Sequence, residues 1–404
     1  MLIPRGLNYF FEDVFSKLQT VSFKIMDIYE TWGYEALIPP DIDFKSTFNV
    51  KEEELFRFLD KFSGKTLVLR PDFTPQIKKY VLFLEEKLYP LRYYYFGNIF
   101  RDYKHKRQNF VTGVELIGCN EQEADGEVLS ILHLILNLAS TSFQVDIGHT
   151  LFLEGLFEEL EKVLDPESIL LLKEIFKRKE ITHLEAFVES KKLDSKYKDT
   201  INFVLNAYGD LEILKKAKKF ALNEKMENAL YDLEKVYKVL KNYEIKTNLV
   251  FDLSEIRGMD YHKGIIFEAF LTSYPFPIAK GGRYYVKDNI GAVGFTLDLE
   301  SFLPFVKDIR PKKLKIYVLD NTKEKNLAQK LTSYLREKGY IASRDIIKRD
   351  NKISLEIAKK KNWDFAIVLK EKEFNLIPLK GNKREFSRLE NLVKSFFKER
   401  FYTR

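Results

Sequence analysis

Between Leu151 and Tyr243 the chain carries one proline, Pro166, and two glycines, while apolar residues recur at spacings of three and four. A stretch so poor in breakers folds as several packed helices. The sequence on either side has a different character. Strand-like runs occur at Thr66–Arg70, Arg92–Phe100, Val111–Gly118 and Ser142–Gly148 before it, and at Asn248–Leu253, Ile265–Phe270 and Ala292–Phe295 after it. The two groups together complete one antiparallel sheet, with helices at Gln76–Leu88 and Asp125–Ala139 beside it and a helical insertion spanning about 151–245. Such a sheet packs one face on a core and leaves the other free to carry polar groups and a ligand. The expected fold class is therefore α+β.

The ends of the chain fill in the organisation. From Gly6 to Gly33 the positions Phe11, Val14, Leu18, Val21, Ile25 and Ile28 mark one face of a long helix, which leads into the extended run YEALIPPDI. Near Lys307–Lys313 a short polar joint containing Pro311 suggests a boundary, giving domains 1–310 and 311–404. Beyond it KIYVL, a helix around Lys325–Lys338, YIASRD, a helix around Ile353–Asn362 and DFAIVL alternate as a small parallel or mixed α/β sheet requires.

At 404 residues, 45% apolar and 14% aromatic, the chain can bury two or three cores. A single cysteine, Cys119, excludes an intrachain disulfide and a cysteine-based zinc site, which suits a reducing cytoplasm. Neither a signal-peptide core nor a membrane-length apolar run is present, so a soluble intracellular protein is expected. The net charge of +7 is uneven: Pro311–Arg404 holds 25 Lys and Arg against 12 Asp and Glu, about +13, leaving about −6 elsewhere. That asymmetry fits either a nucleic-acid footprint or solvated surface around Lys359–Lys361 and Lys383–Arg384, and no interleaved aromatics accompany it.

The chemistry lies in Leu67–Gln76 (LVLRPDFTPQ), Phe100–Gly118, Glu255–Phe270 (EIRGMDYHKGIIFEAF) and Gly281–Phe302. In this order and spacing they resemble the catalytic domain of the histidyl-tRNA synthetase family, along nearly the whole chain. The resemblance implies a class II synthetase-like fold, a homodimer formed through the N-terminal helix and strand, and a C-terminal domain like an anticodon-binding domain. It also implies a histidine pocket of Asp72, Thr74, Arg101, Glu115, Arg257, Tyr261 and Tyr284. There the carboxylates meet ammonium and imidazole, and Arg257, with Arg101, meets the carboxylate. Val111 and His262 depart from the family's glutamine and second tyrosine.

The departures concentrate where ATP would sit. Activating an amino acid relies on fixed charges around the triphosphate. Arg101 matches the family's phosphate-facing arginine, but Asp102-Tyr103 stands where its glutamate is expected. Asp298-Leu299-Glu300-Ser301 stands where the pattern GxxR would place another arginine. The wording LRPDFTPQ, GVELIG and GIIFEA is similar to a non-catalytic branch of the family, the regulatory subunits of ATP phosphoribosyltransferase. This resemblance implies a short-form catalytic subunit as partner, a role in the first step of histidine biosynthesis, histidine as feedback effector, no catalytic residue and no cofactor. An active histidyl-tRNA synthetase and a tRNA- or partner-binding paralogue remain the alternatives.

The remaining signals have plainer readings. His133 reads as a core histidine, and His105, His149 and His183 lack metal-ligand spacing, so no metal site is assigned. Gly281-Gly282-Arg283 reads as a turn near the pocket, Asp260 and Glu268 as pocket-wall or structural groups, and Cys119 as a small buried residue.

Overall fold

The computed structural model describes residues 3–401 except 87, 104, 192, 246–247, 257–261, 288, 308–312, 323–325, 348 and 372. The chain divides into two compact units, Met1–Ile309 and Arg310–Arg404.

The first unit opens with α1 (Glu12–Thr31), β1 (Glu35–Ala36), β2 (Ile42–Phe44), β3 (Arg57–Leu59), β4 (Thr66–Leu69), α2 (Thr74–Phe83), β5 (Leu91–Phe100), β6 (Gln108–Ile117), α3 (Gln122–Leu136) and β7 (Phe143–His149). The insertion follows as α4 (Thr150–Leu160), α5 (Pro166–Arg178), α6 (Ile181–Ser190), α7 (Ser195–Leu205), β8 (Tyr208–Gly209), α8 (Leu211–Ala217) and α9 (Glu224–Asn242). The unit closes with β9 (Leu249–Asp252), β10 (Ile265–Leu271), β11 (Ala279–Tyr285), β12 (Gly291–Asp298) and α10 (Leu299–Phe302).

Among the described residues the main sheet runs β1-β5-β6-β12-β11-β10-β7-β9-β8. Its centre is antiparallel, as expected, but β1 on β5 and β7 on β9 are parallel, so the sheet is mixed. The insertion is not wholly helical, because Tyr208–Gly209 adds the edge strand β8 to β9. Its lone proline sits at the first turn of α5, behind an Asp165 cap that accepts from Ser168 N at 2.9 Å, where a missing N–H costs nothing. The helices of the insertion share one apolar core with the sheet and α3, from Val114 and Val128 to Leu156 and Leu233.

Strand alternation sorts the sheet into its two faces. Val114 and Leu116 of β6, with Val293, Phe295 and Leu297 of β12, turn into that core. Glu115 turns the other way, toward a smaller cluster containing Phe73, Tyr95, Val111 and Tyr284.

Four expectations need correcting. In α1 the buried face is Leu18, Val21, Ile25 and Tyr29, whereas Val14 in its first turn and Phe11 just before it are 48% and 67% exposed, so the apolar repeat starts ahead of the buried face. Helix α2 starts at Thr74 because Pro75 favours its first turn, and it ends at Phe83 rather than Leu88. Gly281-Gly282-Arg283 is not a turn but the middle of β11, paired on both sides; a Cβ at Gly281 would lie 2.4 Å from Gly294 O, so close strand packing explains the glycine. Cys119 is half-buried.

The second unit comprises β13 (Lys315–Asp320), α11 (Asn326–Glu337), β14 (Ile341–Arg344), α12 (Asn351–Lys360), β15 (Phe365–Leu369), β16 (Phe374–Pro378) and α13 (Lys383–Phe401). Its sheet order is β14-β13-β15-β16, parallel except for β16. Ile316, Val318 and Ile367 pack with Leu331, Leu335, Val393 and Phe396 on one face, and Tyr317 and Ala366 with Ala358 on the other.

Candidate functional site

The polar face of β6, β12 and β11 meets the start of α2 around Glu115, which is 1% exposed. Glu115 Oε1 accepts a hydrogen bond from Thr74 Oγ1 at 2.6 Å, and Oε2 accepts one from Tyr284 OH at 2.7 Å. Gly294 faces Glu115 in register on β12, and a Cβ there would lie 2.1 Å from Oε2; the carboxylate occupies the space a side chain would need. These groups line a cavity of about 330 Å³ that also presents Asp72, Arg101, His262, Lys280 and Thr296. The cavity thus brings together Asp72, Thr74, Arg101, Glu115 and Tyr284. Arg257 and Tyr261, with Asp260, lie outside the described residues.

Desolvation dominates the electrostatics here. It pushes the Glu115 carboxyl up to about 7, against the hydrogen bonds from Thr74 and Tyr284; Asp72 adds to the rise and Lys78 opposes it. Desolvation likewise raises Asp72, opposed by the Arg101 charge and by the backbone N–H groups of Thr74 and Phe73. Burial lowers the Lys78 ammonium, opposed by Glu115, and lowers His262, whose Nδ1 lies 3.2 Å from Arg283 O. Two carboxylates with restricted access to water are held where ionisation is costly, which favours a ligand carrying an ammonium and further N–H donors.

The neighbouring part of the face is closed by internal bonds. Arg101 Nη1 donates to Glu54 Oε2 at 2.9 Å and Nε to Pro71 O at 3.1 Å. Lys106 bonds Asp298 and donates to Ser301 Oγ at 3.1 Å; Tyr274 OH donates to the same hydroxyl at 3.1 Å. Asp298 caps α10 by accepting from Ser301 N at 2.9 Å, and Glu300 Oε1 accepts from Phe110 N at 2.7 Å. Asp298, Glu300 and Ser301 form a self-contained polar lock where the family pattern would present an arginine.

Sequence reasoning missed Lys78, whose Nζ stands 5.4 Å from the centroid of the Tyr284 ring. Its signal was positional: Lys78 lies one helical turn after Thr74 on the same face of α2. Lys280 was also missed and pairs with Glu268 at 2.8 Å; Glu268 lines the adjoining cavity, beside Asp146 and Asp252, rather than this one. Arg70, fully buried, donates to Pro39 O at 2.7 Å and to Asn98 O at 2.9 Å, pinning the segment that precedes Asp72. Val111 is packed in the apolar cluster beside Tyr284. His133 is buried with Nδ1 3.0 Å from Leu129 O. His149 Nδ1 accepts from Leu151 N at 3.3 Å, and its Nε2 lies 3.3 Å from Asp232. Among the described residues no His, Cys, Asp or Glu group has metal-site geometry, and no helix is long and apolar enough to cross a membrane.

The sequence profile of the histidyl-tRNA synthetase family matches residues 7–302. An ATP phosphoribosyltransferase regulatory subunit of Halothermothrix orenii is 30% identical over 74% of this chain and 74% of its own. The chain belongs to the histidyl-tRNA synthetase family, among its ATP phosphoribosyltransferase regulatory subunits. A regulatory subunit of Geobacter metallireducens is 29% identical over 89% of this chain and 87% of its own. The structure of an ATP phosphoribosyltransferase regulatory subunit/histidyl-tRNA synthetase from Bacillus halodurans superposes with a TM-score of 0.80 at 24% identity, covering 91% of this chain and 97% of its own. A histidyl-tRNA synthetase of Nostoc superposes with a TM-score of 0.78 at 17% identity, over 96% of this chain and 99% of its own. These structures show the fold shared across the regulatory-subunit family and the synthetases.

Proposed function

We propose that this chain is a regulatory subunit of ATP phosphoribosyltransferase that has no aminoacylating activity and senses histidine in its synthetase-like pocket. It works in the cytoplasm with a short-form catalytic subunit that joins ATP to phosphoribosyl pyrophosphate, the first step of histidine biosynthesis. The observation that carries the reading is the asymmetry of the site. The Asp72, Thr74, Glu115 and Tyr284 side is an open cavity, while Asp298, Glu300 and Ser301 are consumed by internal bonds. In the ligand-bound state Asp72 meets the ammonium, Glu115 the imidazole, and Arg257 with Arg101 the carboxylate, while Tyr261 completes the wall. The exposed apolar residues Phe11, just before α1, and Phe15 and Phe23 on it support a homodimer through the N-terminal helix, which sedimentation of the chain alone tests.

Calorimetry and histidine-dependent ATP–pyrophosphate exchange on the isolated chain test the sensing role together. Histidine should bind, Glu115→Ala should weaken it by about 2 kcal/mol, and exchange should stay at background. Exchange or tRNA charging well above background would restore the synthetase alternative. Equal histidine affinity in Glu115→Ala and wild type would move the effector site elsewhere.

A further inference from the structure

Arg101 is divided between two cavities. It lines the pocket that holds Glu115, and it also lines a second cavity of about 380 Å³ bounded by Lys51 and Glu54. Two donors converge on one Glu54 oxygen: Arg101 Nη1 and Tyr103 OH, each at 2.9 Å from Oε2. The backbone reinforces the contact, Asp102 N donating to Glu54 O at 2.9 Å. Glu54 thus places a carboxylate on a guanidinium that faces the ligand pocket, and a carboxylate is the group every α-amino acid brings there.

We propose that Glu54 is a built-in competitor for the carboxylate of the bound amino acid, so that ligand binding transfers Arg101 away from Glu54 and loosens the segment Lys45–Leu59. This rests on the reading that the pocket takes histidine. Glu54 sits on a single helical turn, Glu52–Glu54, that leads directly into β3 at Arg57–Leu59. Along and just beyond that strand Phe58, Leu59 and Phe62 are exposed, so the release of Glu54 would be felt at an apolar surface. An intramolecular carboxylate acts at a high effective concentration and lowers the apparent affinity of any ligand that must displace it.

Glu54→Gln removes the charge, keeps the size and leaves an amide oxygen for Tyr103. Calorimetric titration of the full chain with histidine should show this variant binding roughly five-fold or more tightly than wild type, because a charge-assisted contact no longer has to be exchanged. Affinity equal to or weaker than wild type would overturn the role of Glu54 while leaving histidine binding intact. No binding by either protein would remove the histidine reading, and this proposal with it. Limited trypsin digestion of wild type gives a check that needs no variant. Cleavage at Lys51 and Arg57 should be faster with saturating histidine, and unchanged or slower cleavage there would contradict the release.

Discussion

Glu115 is the residue on which the site turns, because its two oxygens are already held by Thr74 and Tyr284 and its charge is kept out of water. With the folded carboxyl at about 7, above the ordinary carboxylate range, the folded chain binds more protons than the unfolded chain between the unfolded value and about 7. Stability from this group is therefore full below the unfolded value and falls as pH rises toward 7. We predict that Glu115→Gln, which cannot ionise, flattens that slope. In chemical denaturation it should gain on wild type between pH 5 and pH 8 by on the order of 2–3 kcal/mol. A difference that does not change with pH would show that Glu115 is ionised without penalty in the fold. The pocket was legible at this scale where a motif fixed residue identity, as for Asp72, Thr74, Arg101, Glu115 and Tyr284. Lys78 and Glu54 were not, because nothing in one sequence says that a helix face or a loop carboxylate will come to lie against that motif.

At the scale of elements, β11 and α3 are locked by a pair the sequence did not announce. Arg283 donates to Asp125 Oδ2 at 2.6 Å, to Cys119 O at 2.8 Å and to Glu121 O at 2.9 Å, with both side chains buried. Removing one partner strands a charge in the core, so Asp125→Ala should cost about 3–5 kcal/mol in denaturant unfolding. Lys24–Asp27 on α1, with side chains 51% and 61% exposed, gives the contrast: Asp27→Ala should cost less than about 0.5 kcal/mol. A loss at Asp125 no larger than at Asp27 would mean that Arg283 finds another partner or water. Strand periodicity located most strands of the main sheet, and helical periodicity located the insertion as one block without its separate helices. It could not reveal β8, a two-residue edge strand, and it misread Gly281-Gly282 because glycine marks a turn and a close strand contact with the same letter. Nor did it name β16 or α13, whose charged surroundings dilute the apolar pattern.

For the whole molecule, a feedback regulator must bind its effector with different affinity in two states of the complex, typically by 1–3 kcal/mol. The pocket lies on the sheet and at the start of α2, so a shift there has a rigid route to the surface of the unit. The coupling is reciprocal: if histidine disfavours phosphoribosyl pyrophosphate in the assembly, that substrate disfavours histidine by the same factor. None of this operates unless the chain joins a catalytic partner, which makes reconstitution the decisive measurement. The rate of a short-form ATP phosphoribosyltransferase catalytic subunit should be followed with and without this chain, and then with added histidine. The expectation is co-purification, a rate that rises when the chain is added and a fall of that rate with histidine. Failure to associate, together with an unchanged rate, would contradict it.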